Sequence, residues 1–120
     1  MKLLIIDSDP LTLKSFADML AHVEGLTIIG LVGNVVEALD ICKQVESEGM
    51  LMTICTNNIN GIKLIRAYYP KIKILLLVNF AICENTAEYV CRLGADGYVE
   101  KADDVARILG QLKQIWSKSG

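Results

Sequence analysis

The sequence predicts a single α/β domain in which helices cover both faces of a five-stranded parallel sheet. Short apolar segments with strand character alternate with segments of helical periodicity along the whole chain, and this alternation is typical of βαβ units. The fourth apolar segment is hydrophobic at nearly every position, as expected for a central strand buried on both faces. The length of 120 residues is close to the commonest domain size, so we expect one core and one domain spanning residues 1–120.

Five strands are expected from runs of apolar and β-branched residues that end at polar or glycine-containing turns. The predicted strands are Lys2–Ile6, Leu26–Val32, Met50–Ile54, Ile72–Val78 and Gly97–Glu100.

Sequence features typical of helices follow the predicted strands. Asp9 and Pro10 are typical of a helix start, with a carboxylate at the N-cap and proline in the first turn. Asn34 and Glu37 resemble a capping box at the start of the second helix, and Gly94 is expected to end the fourth. Residues at i, i+3, i+4 and i+7 spacing form the buried faces, with Leu13, Phe16, Ala17 and Leu20 in the first helix and Val105, Ile108, Leu109 and Leu112 in the last.

Charge and hydropathy exclude several classes of function. Twelve basic and fourteen acidic residues give a net charge of −2, with no basic run, so we expect no direct nucleic-acid contact by this segment. The apolar runs are too short to cross a bilayer, and the N-terminus lacks the architecture of a signal peptide. A cytoplasmic domain without membrane contact is therefore expected.

The four cysteines do not form a metal-binding pattern. Cys42, Cys55, Cys83 and Cys91 include no CxxC pair, and the single histidine is His22, so we expect no metal site. Cys55 and Cys83 both follow predicted strands, which leaves open a redox or small-ligand sensor in which these two thiols respond.

Chemistry is expected in the loops at the carboxyl ends of the strands, where open α/β sheets carry their sites. Those loops contain Asp7, Ser8 and Asp9 after the first strand, residues 53–60 around the third, residues 78–84 after the fourth, and Lys101 after the fifth. No glycine-rich phosphate-binding motif follows any strand, which argues against a nucleotide-binding enzyme.

Three segments together resemble a known family. They are the opening Lys2–Leu11, the segment Asn60–Ile65, and the block Gly94–Lys101 with its Gly-Ala-Asp-Gly-Tyr sequence and following lysine. All three resemble the receiver domains of response regulators in two-component signalling, most closely those joined to helix-turn-helix (LuxR/NarL-like) DNA-binding domains. The resemblance implies a flavodoxin-like (βα)5 fold with strand order 2-1-3-4-5.

The resemblance also shows where this chain departs from the family pattern. Receivers carry two acids after the first strand and an aspartate at the end of the third; together these hold magnesium, and the third accepts phosphate. Asp7 matches the first acid, but Ser8 replaces the second and Thr53 stands at the acceptor position. Neutral hydroxyls bind magnesium poorly, and a threonine hydroxyl is a weak nucleophile without an adjacent base. Val78 or Asn79 occupies the position of the family's switch hydroxyl.

The resemblance also gives expectations for the side chains at other positions of the site. Lys101 matches the family's lysine, and we expect it to contact Asp7 instead of an acceptor carboxylate; the alternative is that it extends into solvent. Asp9 is either a helix cap or a cation ligand, and Thr53 is expected to form only a local hydrogen bond. Tyr98 corresponds to the aromatic residue that moves when receivers switch.

These observations favour a pseudo-receiver: a non-enzymatic interaction module with no cofactor, signalling through a homodimer or a protein partner at helix four, strand five and helix five. By resemblance, the parent protein is a transcriptional regulator, with Trp116–Gly120 leading into a linker. Two alternatives remain open. One is phosphorylation at a non-standard residue such as Asp9 or Thr53, and the other is the sensor based on Cys55 and Cys83.

Overall fold

A computed structural model of the chain describes residues 1–54, 59–78, 84–101 and 105–117. Strands and helices alternate along the chain as β1 (Lys2–Ile6), α1 (Pro10–Leu20), β2 (Thr27–Val32), α2 (Val35–Gln44), β3 (Gly49–Thr53), α3 (Ile59–Tyr68), β4 (Lys73–Val78), α4 (Thr86–Leu93), β5 (Gly97–Glu100) and α5 (Val105–Ser117). Over the four described ranges, no helix is long and apolar enough to cross a membrane.

The five strands form one parallel sheet in the order β2-β1-β3-β4-β5. This confirms the predicted flavodoxin-like topology. Because β1 lies between β2 and β3, the chain reverses its winding direction after the second strand. The carboxyl ends of β1 and β3 therefore lie side by side, which is where a doubly wound sheet places its site.

Side chains alternate between the two faces of the sheet, so each strand contributes to two separate hydrophobic clusters. Leu4 and Ile6 pack in a cluster with residues of α2, α3 and α4, whereas Leu3 and Ile5 pack with residues of α1 and α5. Every residue of β3 and all but the first residue of β4 are buried. The prediction of a central fourth strand covered on both faces is thus confirmed.

The local signals that start and end the helices act as predicted. The Asn34 side chain accepts a hydrogen bond from the Glu37 amide at 2.9 Å, and the Glu37 carboxylate reaches back to the amide of Gly33 at 2.9 Å. This pair satisfies backbone donors at the start of α2 that have no helical partner. At the other end of a helix, Gly94 closes α4 with φ of 97°, a conformation that favours glycine.

One strand begins a residue earlier than predicted. Gly49 pairs with Leu3 and Lys73 in the sheet, although a glycine before an apolar run normally indicates a turn. A Cβ atom built on Gly49 would lie 2.4 Å from Met1 Cε. The flexible end of the N-terminal methionine side chain therefore lies directly beside the first residue of β3.

Candidate functional site

Three predicted site residues meet at the carboxyl edge of the sheet. Asp7 follows β1, Thr53 is the last residue of β3, and Lys101 follows β5. The Asp7 amide donates to Val32 O at 3.0 Å, and the Lys101 amide donates to Val78 O at 2.9 Å. Both residues thus continue the strand pairing by one hydrogen bond, which holds their backbones at the mouth of the sheet.

The Asp7 carboxylate lies at the centre of this site. Its Oδ2 atom accepts a 2.6 Å hydrogen bond from Thr53 Oγ1 and lies 2.8 Å from Lys101 Nζ. Its Oδ1 atom accepts from the Asp9 amide at 2.8 Å. The side chain is 3% exposed, against 26% for that of Lys101. The expected contact between Lys101 and Asp7 is therefore present. Thr53 also forms a hydrogen bond, but this bond reaches Asp7 after the neighbouring strand β1 and is not local in the chain.

The pKa of Asp7 reflects a competition between burial and these contacts. Burial alone would raise the pKa of the carboxyl, because it penalises the charged form. Hydrogen bonds from Lys101, Thr53 and the Asp9 amide, together with the positive charge of Lys101, outweigh burial and hold the pKa of Asp7 below its ordinary value. Asp7 is therefore ionised near neutral pH, with two donors on Oδ2 and one on Oδ1.

The side chains of Asp9 and Ser8 are not part of the cluster formed by Asp7, Thr53 and Lys101. The Asp9 side chain accepts from the Leu11 amide at 3.1 Å and from Thr12 Oγ1 at 2.9 Å, so its carboxylate caps α1, as one of the two interpretations of Asp9 predicts. Ser8 is exposed to solvent. Neither side chain adds a second carboxylate beside Asp7.

The remaining candidate residues divide into two groups. Val78 is 1% exposed and belongs to the hydrophobic cluster below α2, α3 and α4, and Tyr98 packs partly buried against the same cluster. Asn79, Cys55 and Cys83 lie outside the described residues. The structure therefore places an apolar side chain at one of the two alternative switch positions.

The residues present do not fit a divalent cation of the kind the family implies. Magnesium requires several oxygen ligands, normally including carboxylates, whereas Asp7 Oδ2 already accepts from an ammonium and a hydroxyl group. Across the described part of the chain, no cluster of three or more His, Cys, Asp or Glu side chains is placed to hold a metal ion.

One charged contact was not predicted from the sequence. Arg66 of α3 binds Asp96, which lies between α4 and β5, with 2.8 Å between Nη2 and Oδ2. Arg66 also donates from Nε to Gly94 O at 2.9 Å and from Nη1 to Ile72 O at 2.6 Å. The same Asp96 oxygen accepts from the Ile74 amide at 2.8 Å. In the sequence, the only indication of this contact is that Asp96 falls within the family-like block Gly94–Lys101.

Sequence comparison places the chain among signalling proteins. The family model of the response regulator receiver domain matches residues 3–113. The transcriptional regulatory protein LnrK of Bacillus subtilis (strain 168) is 32% identical over an aligned length of 103, and the alignment covers 83% of this chain and 46% of LnrK. The response regulator GacA of Pseudomonas aeruginosa is 25% identical over an aligned length of 122, gaps included, and the alignment covers 97% of this chain and 55% of GacA. The chain thus spans about half the length of these curated relatives.

Solved structures share the fold at lower sequence identity. A LuxR-family response regulator from Aurantimonas sp. superposes with a TM-score of 0.86 at 18% identity, covering 98% of this chain and 85% of that one. A CheY-like receiver domain protein from Methanospirillum hungatei gives 0.83 at 21% identity, with coverage of 98% and 94%. RcsB from Salmonella enterica, bound to promoter rprA with the phosphomimetic BeF3−, gives 0.82 at 18% identity, with coverage of 94% and 66%. The family match over residues 3–113, together with this fold, shows that the chain belongs to the response regulator receiver family.

Proposed function

We propose that this receiver domain signals without aspartyl phosphorylation, as a pseudo-receiver that acts through protein contacts. The observation that carries the proposal is the saturation of Asp7 Oδ2, which accepts from both Thr53 and Lys101. Receiver domains are signalling modules, and we infer that this one has no catalytic activity of its own.

The residue at the acceptor position, Thr53, is a poor nucleophile. A carboxylate can attack a phosphoryl donor directly, whereas the Thr53 hydroxyl must lose its proton to a base. Asp7 accepts the hydrogen bond from that hydroxyl, but its lowered pKa makes it a weak base. Thr53 thus acts as a hydrogen-bond donor to Asp7.

The site around Asp7 is also a poor binding site for a divalent cation. The positive charge next to Asp7 is supplied by Lys101, and the exposed Ser8 adds no negative charge beside it. A divalent ion entering here would have to displace the lysine and the threonine hydroxyl from Asp7 Oδ2, and it would gain a single carboxylate. Dehydrating magnesium for so few anionic ligands is unfavourable.

The end of β4 also lacks the hydroxyl residue that acts as the switch in the family. In the family, a hydroxyl residue at the end of β4 turns toward the phosphoryl group. Of the two residues that match this position, the buried Val78 has no group that could do so, and Asn79, which lies outside the described residues, has an amide instead of a hydroxyl. Tyr98 packs against the same hydrophobic cluster as Val78. We infer that packing, instead of phosphate, sets the arrangement of the surface formed by α4, β5 and α5, which a second copy or a partner protein would bind.

The biological context follows from the relatives. LnrK is a transcriptional regulatory protein, and this chain matches 46% of its length. RcsB has a solved structure in which it is bound to promoter rprA. We infer a cytoplasmic regulator of transcription in which an attached output domain contacts DNA and this segment does not.

Amide NMR spectra with magnesium and beryllium fluoride test the proposal. We expect no shifts near Asp7 or Lys101 when both reagents are added to the wild-type chain. The matched control is the double variant Ser8→Asp, Thr53→Asp, which restores the acidic residues of the family and should show shifts confined to this edge. Localised shifts in the wild type would disprove the proposal.

Phosphorylation of Thr53 or Asp9 by a kinase acting in trans has less support. Thr53 is 7% exposed and hydrogen-bonded to Asp7, and the Asp9 carboxylate caps α1. A kinase would have to break these contacts before transferring phosphate. The alternative thiol sensor depends on Cys55 and Cys83, which lie outside the described residues.

A further inference from the structure

An open cavity lies at the opposite edge of the sheet, where β3 and β4 begin. It encloses about 630 Å³ between the ends of α2 and α3 and is bordered by Trp116 of α5. Cavities that bind small molecules usually enclose roughly 300–1,000 Å³. Since it is formed at the start of the strands, this cavity is separate from the Asp7 site.

Aromatic side chains form much of its wall. Tyr68, Tyr69 and Trp116 all border the cavity, and Tyr68 is 69% and Trp116 39% exposed. On the α2 side the cavity is bordered by the buried Cys42, and burial raises the pKa of this thiol, so it is neutral near pH 7. Aromatic side chains that border a cavity can stack with a planar ring.

The charged residues around the cavity carry one more positive than negative charge. They comprise three lysines and two glutamates: Lys43, Lys71, Lys73, Glu46 and Glu48. Glu48 is already engaged, because its Oε1 accepts from the Lys2 amide at 2.9 Å. Lys71 and Lys73 form no ion pair with any residue in the described ranges. A ligand with one negative charge would therefore find unpaired ammonium groups at the rim.

We propose that this cavity binds a small planar aromatic molecule that carries a carboxylate or a comparable single negative charge. The aromatic wall would stack on the ring, and Lys73, which is partly buried at the start of β4, would bind the anionic group. This second site does not depend on the Asp7 edge or on the absence of phosphorylation.

The test uses 2-naphthoate as the probe and 2-naphthalenemethanol, its neutral analogue, as the matched ligand. Trp116 is the only tryptophan of the chain, so tryptophan fluorescence reports directly on the cavity, and amide NMR locates the bound probe. We expect saturable binding of 2-naphthoate, with shifts confined to the ends of α2 and α3 and the start of β4.

Two pairs of variants separate stacking from charge. Lys73→Met should weaken 2-naphthoate about tenfold, the loss expected for one charge-assisted contact, and leave the neutral analogue unchanged. Its control is Lys63→Met, an exposed lysine outside the cavity. Tyr68→Ala should weaken both ligands, whereas Leu64→Ala, also exposed on α3, should affect neither.

Three results would overturn the proposal. The first is the absence of saturable 2-naphthoate binding at millimolar concentration. The second is equal weakening of the charged and neutral ligands by Lys73→Met. The third is a set of concentration-dependent shifts of the cavity residues without probe, which would mean that a second copy of the chain occupies the cavity.

Discussion

Lys101 Nζ lies 2.8 Å from Asp7 Oδ2, and this contact joins the residue after β5 to the residue after β1. The two strands are separated in the sheet by β3 and β4, so the contact links the ends of two strands that are not neighbours. A buried carboxylate in this position would be costly without a compensating cation. The stability of the domain should therefore depend on the pair.

Replacing the lysine tests that dependence. Lys101→Met should lower the free energy of unfolding at pH 7 by about 2–3 kcal/mol, because it leaves the Asp7 carboxylate buried without its cation. Urea unfolding measures the change. The double variant Asp7→Asn, Lys101→Met should recover part of the loss, and Lys63→Met serves as the control for removal of an exposed lysine. A loss no larger than that of the control would contradict the prediction.

The lowered pKa of Asp7 predicts a dependence of stability on pH. A carboxyl whose pKa is lower in the folded state contributes stability that is present above its unfolded pKa and lost as the pH falls through its folded pKa. We expect this contribution to be complete above about pH 5 and to decline as the pH falls through 3.8, the ordinary value, and below it. Urea unfolding between pH 3 and 6 should show a smaller decline for Asp7→Asn. Parallel curves for the variant and the wild type would count against the assignment.

The hydrogen bond from Thr53 can be removed with little change in shape. Thr53→Val deletes the hydroxyl that donates to Asp7, and we expect a loss of about 1–2 kcal/mol. The pKa of Asp7 should rise, because one of the contacts that lower it is gone. Urea unfolding and a carbon-13 NMR titration of the Asp7 carboxyl measure the two effects. An unchanged titration would mean that Thr53 does not stabilise the ionised form.

Two helical glycines should respond in opposite directions to alanine. A Cβ built on Gly110 of α5 meets nothing within 4 Å, whereas one on Gly61 of α3 would lie 2.5 Å from Val35 Cγ2. Gly110→Ala should stabilise the domain by about 0.5–1 kcal/mol through helix propensity. Gly61→Ala should destabilise it, because the branched Val35 side chain cannot easily move away. Thermal unfolding of both variants checks the pair, and a shift of the same sign in both would contradict it.

The contact of Arg66 with Asp96 should matter more than an exposed ion pair. Arg66→Lys cannot reproduce the forked hydrogen bonds to Asp96, Gly94 and Ile72, so we expect a loss of about 2 kcal/mol. Arg92→Lys is the control, because its pair with Glu88 is exposed and should contribute about 0.5 kcal/mol or less. Similar losses in the two variants, measured by urea unfolding, would show that the Arg66 contacts are not stabilising.

Local features of the sequence were sufficient to predict the order of the elements and the caps at the start of α2 and the end of α4. The Asn34 and Glu37 pair forms a cap because both residues lie within one helical turn. Successive side chains of a strand point to opposite faces of the sheet, and Leu3 and Leu4 accordingly lie in opposite clusters. The start of β3 at Gly49 was missed because it is set by pairing with Leu3 and Lys73, which are distant in sequence.

The sequence by itself determined the parallel α/β architecture, the boundaries of the five strands to within a residue, and the edge at which Asp7, Thr53 and Lys101 meet. These follow from periodicity and from the rule that parallel strands end at the same edge. Only the tertiary structure decided that Thr53 and Lys101 share one oxygen of Asp7, that Arg66 binds Asp96, and that an aromatic cavity opens at the other edge. Such contacts join residues that are far apart in the chain, and a change of about 1 Å in the distance between two atoms can make or break them. No sequence pattern encodes distances to that precision.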